Sequence, residues 1–80
     1  MTRAAAICLY TRPECHLCEL AGQLLDDSGV GWQAVDIEAD LDLIRKYGNH
    51  IPVVQRLDID RALYWPFDAV TLQDFIELEI

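Results

Sequence analysis

The sequence predicts an α/β fold whose elements run strand, helix, strand, helix, strand, strand, helix, and three observations carry that expectation. Ala4 to Tyr10 is an unbroken apolar run, as in a central strand covered on both faces. From that run to Ile37, a strand, a helix and a second strand fit into about thirty residues, the length of two parallel strands joined by a helix. Val53 to Leu57 and Arg61 to Trp65 then flank Asp58-Ile59-Asp60 as the two strands of a hairpin.

The first helix is expected to begin at or just before Cys15, after Pro13 and Glu14. Leu17, Leu20, Ala21, Leu24 and Leu25 follow at i, i+3, i+4, i+7 and i+8, which makes one face to bury. Gly29 and Gly31 are natural stops, so the helix ends near Ser28-Gly29. Trp32 to Ile37 is the second strand. Asp40 is placed to cap a short helix that turns Leu41, Ile44 and Tyr47 inward, carries Arg45 and Lys46 in its last turn, and stops at Gly48. Pro52 precedes Val53 at the start of the third strand, where a missing N–H is tolerated. The hairpin turn contains no glycine, so its type stays open. Pro66 stops the fourth strand, and Thr71 with Asp74 forms a capping-box pattern ahead of Leu72, Phe75, Ile76 and Ile80. No repeat, linker or low-complexity segment interrupts the chain, so residues 1–80 read as a single domain.

An apolar content of 52% is that of a folded chain, and 80 residues suffice for one modest core. Six basic and fourteen acidic side chains leave a net charge of −8, which opposes binding to nucleic acid or an anionic membrane. The acidic residues are spread along the chain rather than gathered in a tail, and solubility accounts for them. The Ala4–Tyr10 run is too short to span a membrane and lacks a secretory cleavage site. Three cysteines, an odd number, argue against a secreted disulfide framework; a Cys-x-x-Cys beside a strand–helix–strand unit points to redox chemistry in the cytoplasm.

Cys15-His16-Leu17-Cys18 is the constellation able to do covalent chemistry unaided. At a helix start, unpaired N–H groups and the helix dipole stabilise a thiolate, which makes the outer Cys15 the nucleophile and leaves the deeper Cys18 to resolve the mixed disulfide. His16 as an imidazolium would favour that thiolate, while Glu14 and Glu19 would oppose it. A solvated His16 with little influence is the plainer alternative. A zinc site needs four ligands, and the remaining candidates are Cys8, inside the apolar run, His16, wedged between the thiols, and His50; no metal site is therefore expected. Cys8 reads as a core residue and His50 as a loop residue.

The chain resembles the glutaredoxins, the shortest version of the thioredoxin fold, over almost its whole length. The resemblance rests on Leu9-Tyr10-Thr11-Arg12-Pro13-Glu14-Cys15-His16-Leu17-Cys18, on Val35-Asp36-Ile37-Glu38 with Asp40, and on Ile51-Pro52-Val53-Val54. It implies a thioredoxin-like, glutaredoxin-type four-stranded mixed sheet with helices on both faces, as in the short glutaredoxin-like proteins. It further implies a thiol–disulfide oxidoreductase in which Cys15 attacks, Cys18 resolves, and Ile51 with a cis Pro52 forms the substrate loop against the dithiol. Arg12 and Asp68 are the implied glutathione contacts, although Asp68 is read from its position first as a charge at the start of the last helix. The glycine pair that glutaredoxins carry after the last strand is replaced here by Tyr64-Trp65-Pro66-Phe67, and their Pro-Tyr between the cysteines by His16-Leu17. Trp65 and Phe67 then read as core or cover residues. The expected protein is a monomer that exchanges electrons with a disulfide-containing protein or small molecule, requires no cofactor, and has glutathione as a candidate co-substrate. The competing reading is a glutathione-dependent glutaredoxin or a module that holds a metal or iron–sulfur cluster through its thiols. A redox-inert interaction domain is a third.

Overall fold

The computed structural model describes residues 6–78. Ala4 and Ala5 of the first apolar run and Ile80 of the last helical stripe lie outside the described residues. Strands β1 (Ile7–Thr11), β2 (Trp32–Asp36), β3 (Val53–Arg56) and β4 (Arg61–Tyr64) form one sheet in the order β2-β1-β3-β4. β2 lies parallel to β1, whereas β1 with β3 and β3 with β4 are antiparallel, so the sheet is mixed as expected. Helices α1 (His16–Ser28), α2 (Leu41–Tyr47) and α3 (Ala69–Glu77) complete the order, with a single 3-10 turn at Ile37–Ala39 after β2.

Side chains alternate across a strand, and β1 uses both of its faces. Ile7 and Leu9 pack against Ala21 and Leu25 of α1, Leu72 of α3, and Phe67. Tyr10 points to the opposite face, where Ile37, Tyr47 and Val53 form a second core with Leu43 and Ile44 of α2. The continuous apolar character of this strand follows from those two cores, because neither of its faces meets water.

Helix α1 begins and ends where its sequence says. Gly29 stands after its last turn at φ 77, and its N–H donates to the Asp26 carbonyl at 3.1 Å. Its buried stripe is Cys18, Ala21, Gly22 and Leu25. Leu17 lies one position round from that stripe and is exposed, contrary to its expected place on the buried face. A similar correction applies to α2. Asp40 caps it, accepting the Asp42 N–H at 2.8 Å, but Leu43 and Ile44 pack with Tyr47 while Leu41 is exposed, roughly a third of a turn round the helix.

Strands β3 and β4 each stop one residue short of expectation, at Arg56 and Tyr64. Asp60 takes the left-handed conformation (φ 52) that a glycine would otherwise supply in the hairpin turn, and its carboxylate accepts from Gln55 Nε2 at 3.4 Å. Helix α3 starts earlier than the Thr71/Asp74 pattern implies. Asp68 is its cap and accepts the Thr71 N–H at 2.8 Å, which leaves Thr71 inside the first turn. At its other end Arg56 Nη1 donates to the carbonyls of Phe75, Ile76 and Leu78, while the same guanidinium pairs with Asp58. The Ile51–Pro52 and Trp65–Pro66 peptide bonds are both cis.

Candidate active site

From the end of β1 the chain turns through Arg12-Pro13-Glu14 into α1. Glu14 holds a left-handed conformation (φ 58), which costs a residue with a side chain about 1 kcal/mol and re-aims the backbone immediately before the first cysteine. Cys15 is the N-cap of α1. Its sulfur accepts the Cys18 N–H at 3.2 Å, and its carbonyl accepts the Glu19 N–H at 3.1 Å. Cys15 and Cys18 are joined as a disulfide with Cα atoms 5.2 Å apart. Cys15 is half-buried and Cys18 is buried, only 4% exposed. An N–H directed at a sulfur on a helix N-terminus favours negative charge on that sulfur, and here it is the accessible one that receives it.

A groove of about 330 Å³ opens beside the disulfide between α1 and β2. Strand register orders its floor: Thr11 lies at the disulfide end, Leu9 opposite Ala34 in the middle, and Trp32, opposite Ile7, at the far end. Gly22 in the middle of α1 lets the Trp32 ring lie close, since a Cβ there would come within 3.3 Å of it. Trp32 Nε1 donates to Asp26 Oδ1 at 2.9 Å and ties the far end shut. Neither Gly22, Asp26 nor Trp32 stands out as a site residue in the sequence. The available signal was a glycine inside a strong helical pattern, which is unfavourable for the helix and so marks a close approach.

The remaining site residues divide into two groups. Arg12 lines the groove, and its Nε lies 3.6 Å from Glu38 Oε2 in the turn after β2. His16 is exposed, with Nδ1 3.8 Å from Glu19 Oε2. Pro52 does not line the groove, but Tyr10 pairs with Val53, so Pro52 comes next in register at the sheet end from which the disulfide loop departs. It is buried, and its carbonyl accepts the Trp65 N–H at 3.2 Å. Ile51, Pro52 and Asp68 are not among the residues that line the groove. Asp68 is engaged at the start of α3, where the Thr71 backbone N–H holds its carboxyl below the usual range. Phe67 is buried and Trp65 packs edge-on against it at 5.0 Å, as cover residues would.

Cys8 is buried beneath the sheet surface and accepts from Gln33 Nε2 at 3.3 Å, while His50 sets its ring against Tyr64 at 5.6 Å. Among the described residues no group of three or more His, Cys, Asp and Glu side chains is placed to hold a metal ion. No helix among them is long and apolar enough to cross a membrane.

The glutaredoxin-like domain family (DUF836) matches residues 6–77. The chain belongs to the glutaredoxin-like family. No curated protein matches it. Among solved structures, the X-ray structure of XcR50 from X. campestris, a structural-genomics target, is 37% identical over 90% of this chain and 96% of that one, with a TM-score of 0.83. Protein Ne2328 from Nitrosomonas europaea (24% identity, 94% of each chain, TM-score 0.69) shares the fold. So does a point mutant of the thioredoxin-like protein BC3987 (20% identity, 95% of this chain and 100% of that one, TM-score 0.68). The glutaredoxin-like chain thus has the thioredoxin-like fold, with its cysteine pair at bonding distance on the first helix.

Proposed function

We propose that this glutaredoxin-like protein is a thiol–disulfide oxidoreductase acting in the cytoplasm as a monomer. The observation that carries the reading is the asymmetry of the cysteine pair: Cys15 accessible and hydrogen-bonded through its sulfur to the Cys18 N–H, Cys18 buried behind it. In the reduced protein the Cys15 thiolate attacks one sulfur of a substrate disulfide. A Cys15–substrate bond forms, the substrate S–S bond breaks, and the other substrate sulfur leaves as a thiolate. Cys18, losing its proton, then attacks Cys15 Sγ and expels the second substrate thiolate. The substrate gains two electrons and the protein ends with the Cys15–Cys18 disulfide, which an external dithiol reduces again.

A disulfide substrate with a dithiol donor fits better than removal of glutathione from an adduct. Both residues that the family resemblance offers to glutathione are engaged within the chain, Arg12 with Glu38 and Asp68 with Thr71. A partly exposed ion pair is worth about 1 kcal/mol or less, so Arg12 alone is a weak anchor for a carboxylate. The chain's net charge of −8 also disfavours an anionic tripeptide. The test compares insulin reduction by dithiothreitol with deglutathionylation in a glutathione-coupled assay. Faster turnover in the first is expected, with Cys15→Ser abolishing both. Efficient deglutathionylation with little insulin reduction would overturn the substrate class, and inertness in both assays would overturn the oxidoreductase reading.

A further inference from the structure

We infer that the groove between α1 and β2 receives a cationic segment of the disulfide substrate, beside the cysteine under attack, so that the protein selects disulfides flanked by Lys or Arg. This rests on the oxidoreductase reading and adds the substrate's character to it. The groove is continuous with both sulfurs, since Cys15 and Cys18 line it together with Leu9 and Gly22. Its size, about 330 Å³, lies at the lower end of the range for ligand sites and suits a short peptide segment. β2, which lines the groove through Trp32 and Ala34, is an edge strand of the sheet, and an extended backbone laid along such an edge finds hydrogen-bonding groups.

Charge decides what that segment carries. The ionisable residues along the groove, besides the cysteines, are Glu14, Glu19, Asp26 and Arg12. Glu38, in the turn after β2, balances Arg12 at 3.6 Å, and although His16 Nδ1 lies 3.8 Å from Glu19, the carboxylates still outnumber the basic groups. Glu19 stands one helical position beyond Cys18, on the exposed side of the same turn, within reach of a side chain next to the attacked sulfur. Asp26 stands at the far end, where its Oδ1 accepts from the Trp32 indole. The apolar floor of Leu9, Ala34 and the Trp32 ring accommodates the methylene stem of a Lys or Arg, whose charged end then meets a carboxylate. An acidic flank would be repelled by the same groups, which makes the groove a selector as well as a cradle.

The test uses two disulfide-bonded peptides that differ only in Lys or Glu beside the cysteine, reduced by the protein with dithiothreitol as donor. The Lys peptide is expected to show a kcat/KM about fivefold to tenfold higher, chiefly through KM, the effect of one or two partly exposed ion pairs. Glu19→Gln with Asp26→Asn should bring the ratio close to one. Asp42→Asn with Glu77→Gln removes the same charge away from the groove and should preserve the ratio. Equal rates for the two peptides, or an equal loss of preference in both variants, would overturn the inference and leave the oxidoreductase reading standing; no reduction of either peptide would overturn both. A second measurement needs no turnover: the oxidised protein is titrated with the Lys peptide carrying S-methylated cysteines. NMR shifts should concentrate at Gly22, Gln23 and the Trp32 indole N–H, and shifts confined to Ile51 and its neighbours would place the segment elsewhere and refute the groove.

Discussion

At the scale of single residues, the two cysteines of one motif differ because of where the helix begins. Cys15 stands outside the first turn and receives an N–H at its sulfur, whereas Cys18 is carried under the helix by the same turn. Brief treatment of the reduced protein with limiting iodoacetamide at neutral pH is therefore expected to alkylate Cys15, with Cys18 and the buried Cys8 spared; mass mapping that finds the label on either of those would reverse the assigned roles. Cys18→Ser is expected to trap a mixed disulfide with the substrate, seen as the summed mass of the two. Gly48 is decided by space rather than by backbone angle. It is not left-handed, and a Cβ would lie 2.5 Å from the Ile44 carbonyl oxygen. Gly48→Ala is expected to lower stability by about 1–3 kcal/mol, read as a fall in the urea midpoint at constant slope.

At the scale of elements, α3 is capped at its start by the adjacent Asp68 and held at its other end by a group that its own sequence does not contain. Arg56 on β3 satisfies three carbonyls at its C-terminus. Replacing it with Met is expected to cost about 2 kcal/mol and to increase hydrogen exchange in the last turn of α3 specifically. The carboxyls of Asp58, paired with Arg56, and Asp68, bonded to the Thr71 N–H, both lie below the usual aspartate range. A carboxylate whose folded pKa is depressed contributes fully above its unfolded value, about 3.9, and loses the contribution as pH falls through the folded value. Stability should thus decline below about pH 4, and Asp58→Asn with Asp68→Asn should flatten that acid limb. An unchanged acid limb in the double variant, followed by urea unfolding across the acid range, would contradict this account.

At the scale of the whole molecule, three features of the sheet follow from local signals read in sequence, while the pairing of β1 with β3 across more than forty residues does not. A doubly covered apolar strand must be central, a strand–helix–strand unit of about thirty residues makes its first neighbour parallel, and a short turn makes the last pair antiparallel. Each depends on residues close together in the chain, and so does the cysteine pair, since helix start and dithiol spacing coincide within Cys15–Cys18. The caps at Asp40 and Gly29 were legible for the same reason. Which side of each amphipathic helix meets the sheet was legible only in part: α2 is too short for its period to exclude Leu41, and α1 turns Leu17 out because the sheet selects the neighbouring stripe. The positions of Arg56, Glu38 and Trp32 were decided by tertiary structure alone. Arg56 meets α3 across some twenty residues of chain, and the groove exists only because β2 folds back beside α1 and brings Trp32 against Gly22. Composition and periodicity act over a few turns and determined the elements and the reactive pair; charge meeting charge across the sheet depends on the packing of distant segments, and that was set only when the chain closed on itself.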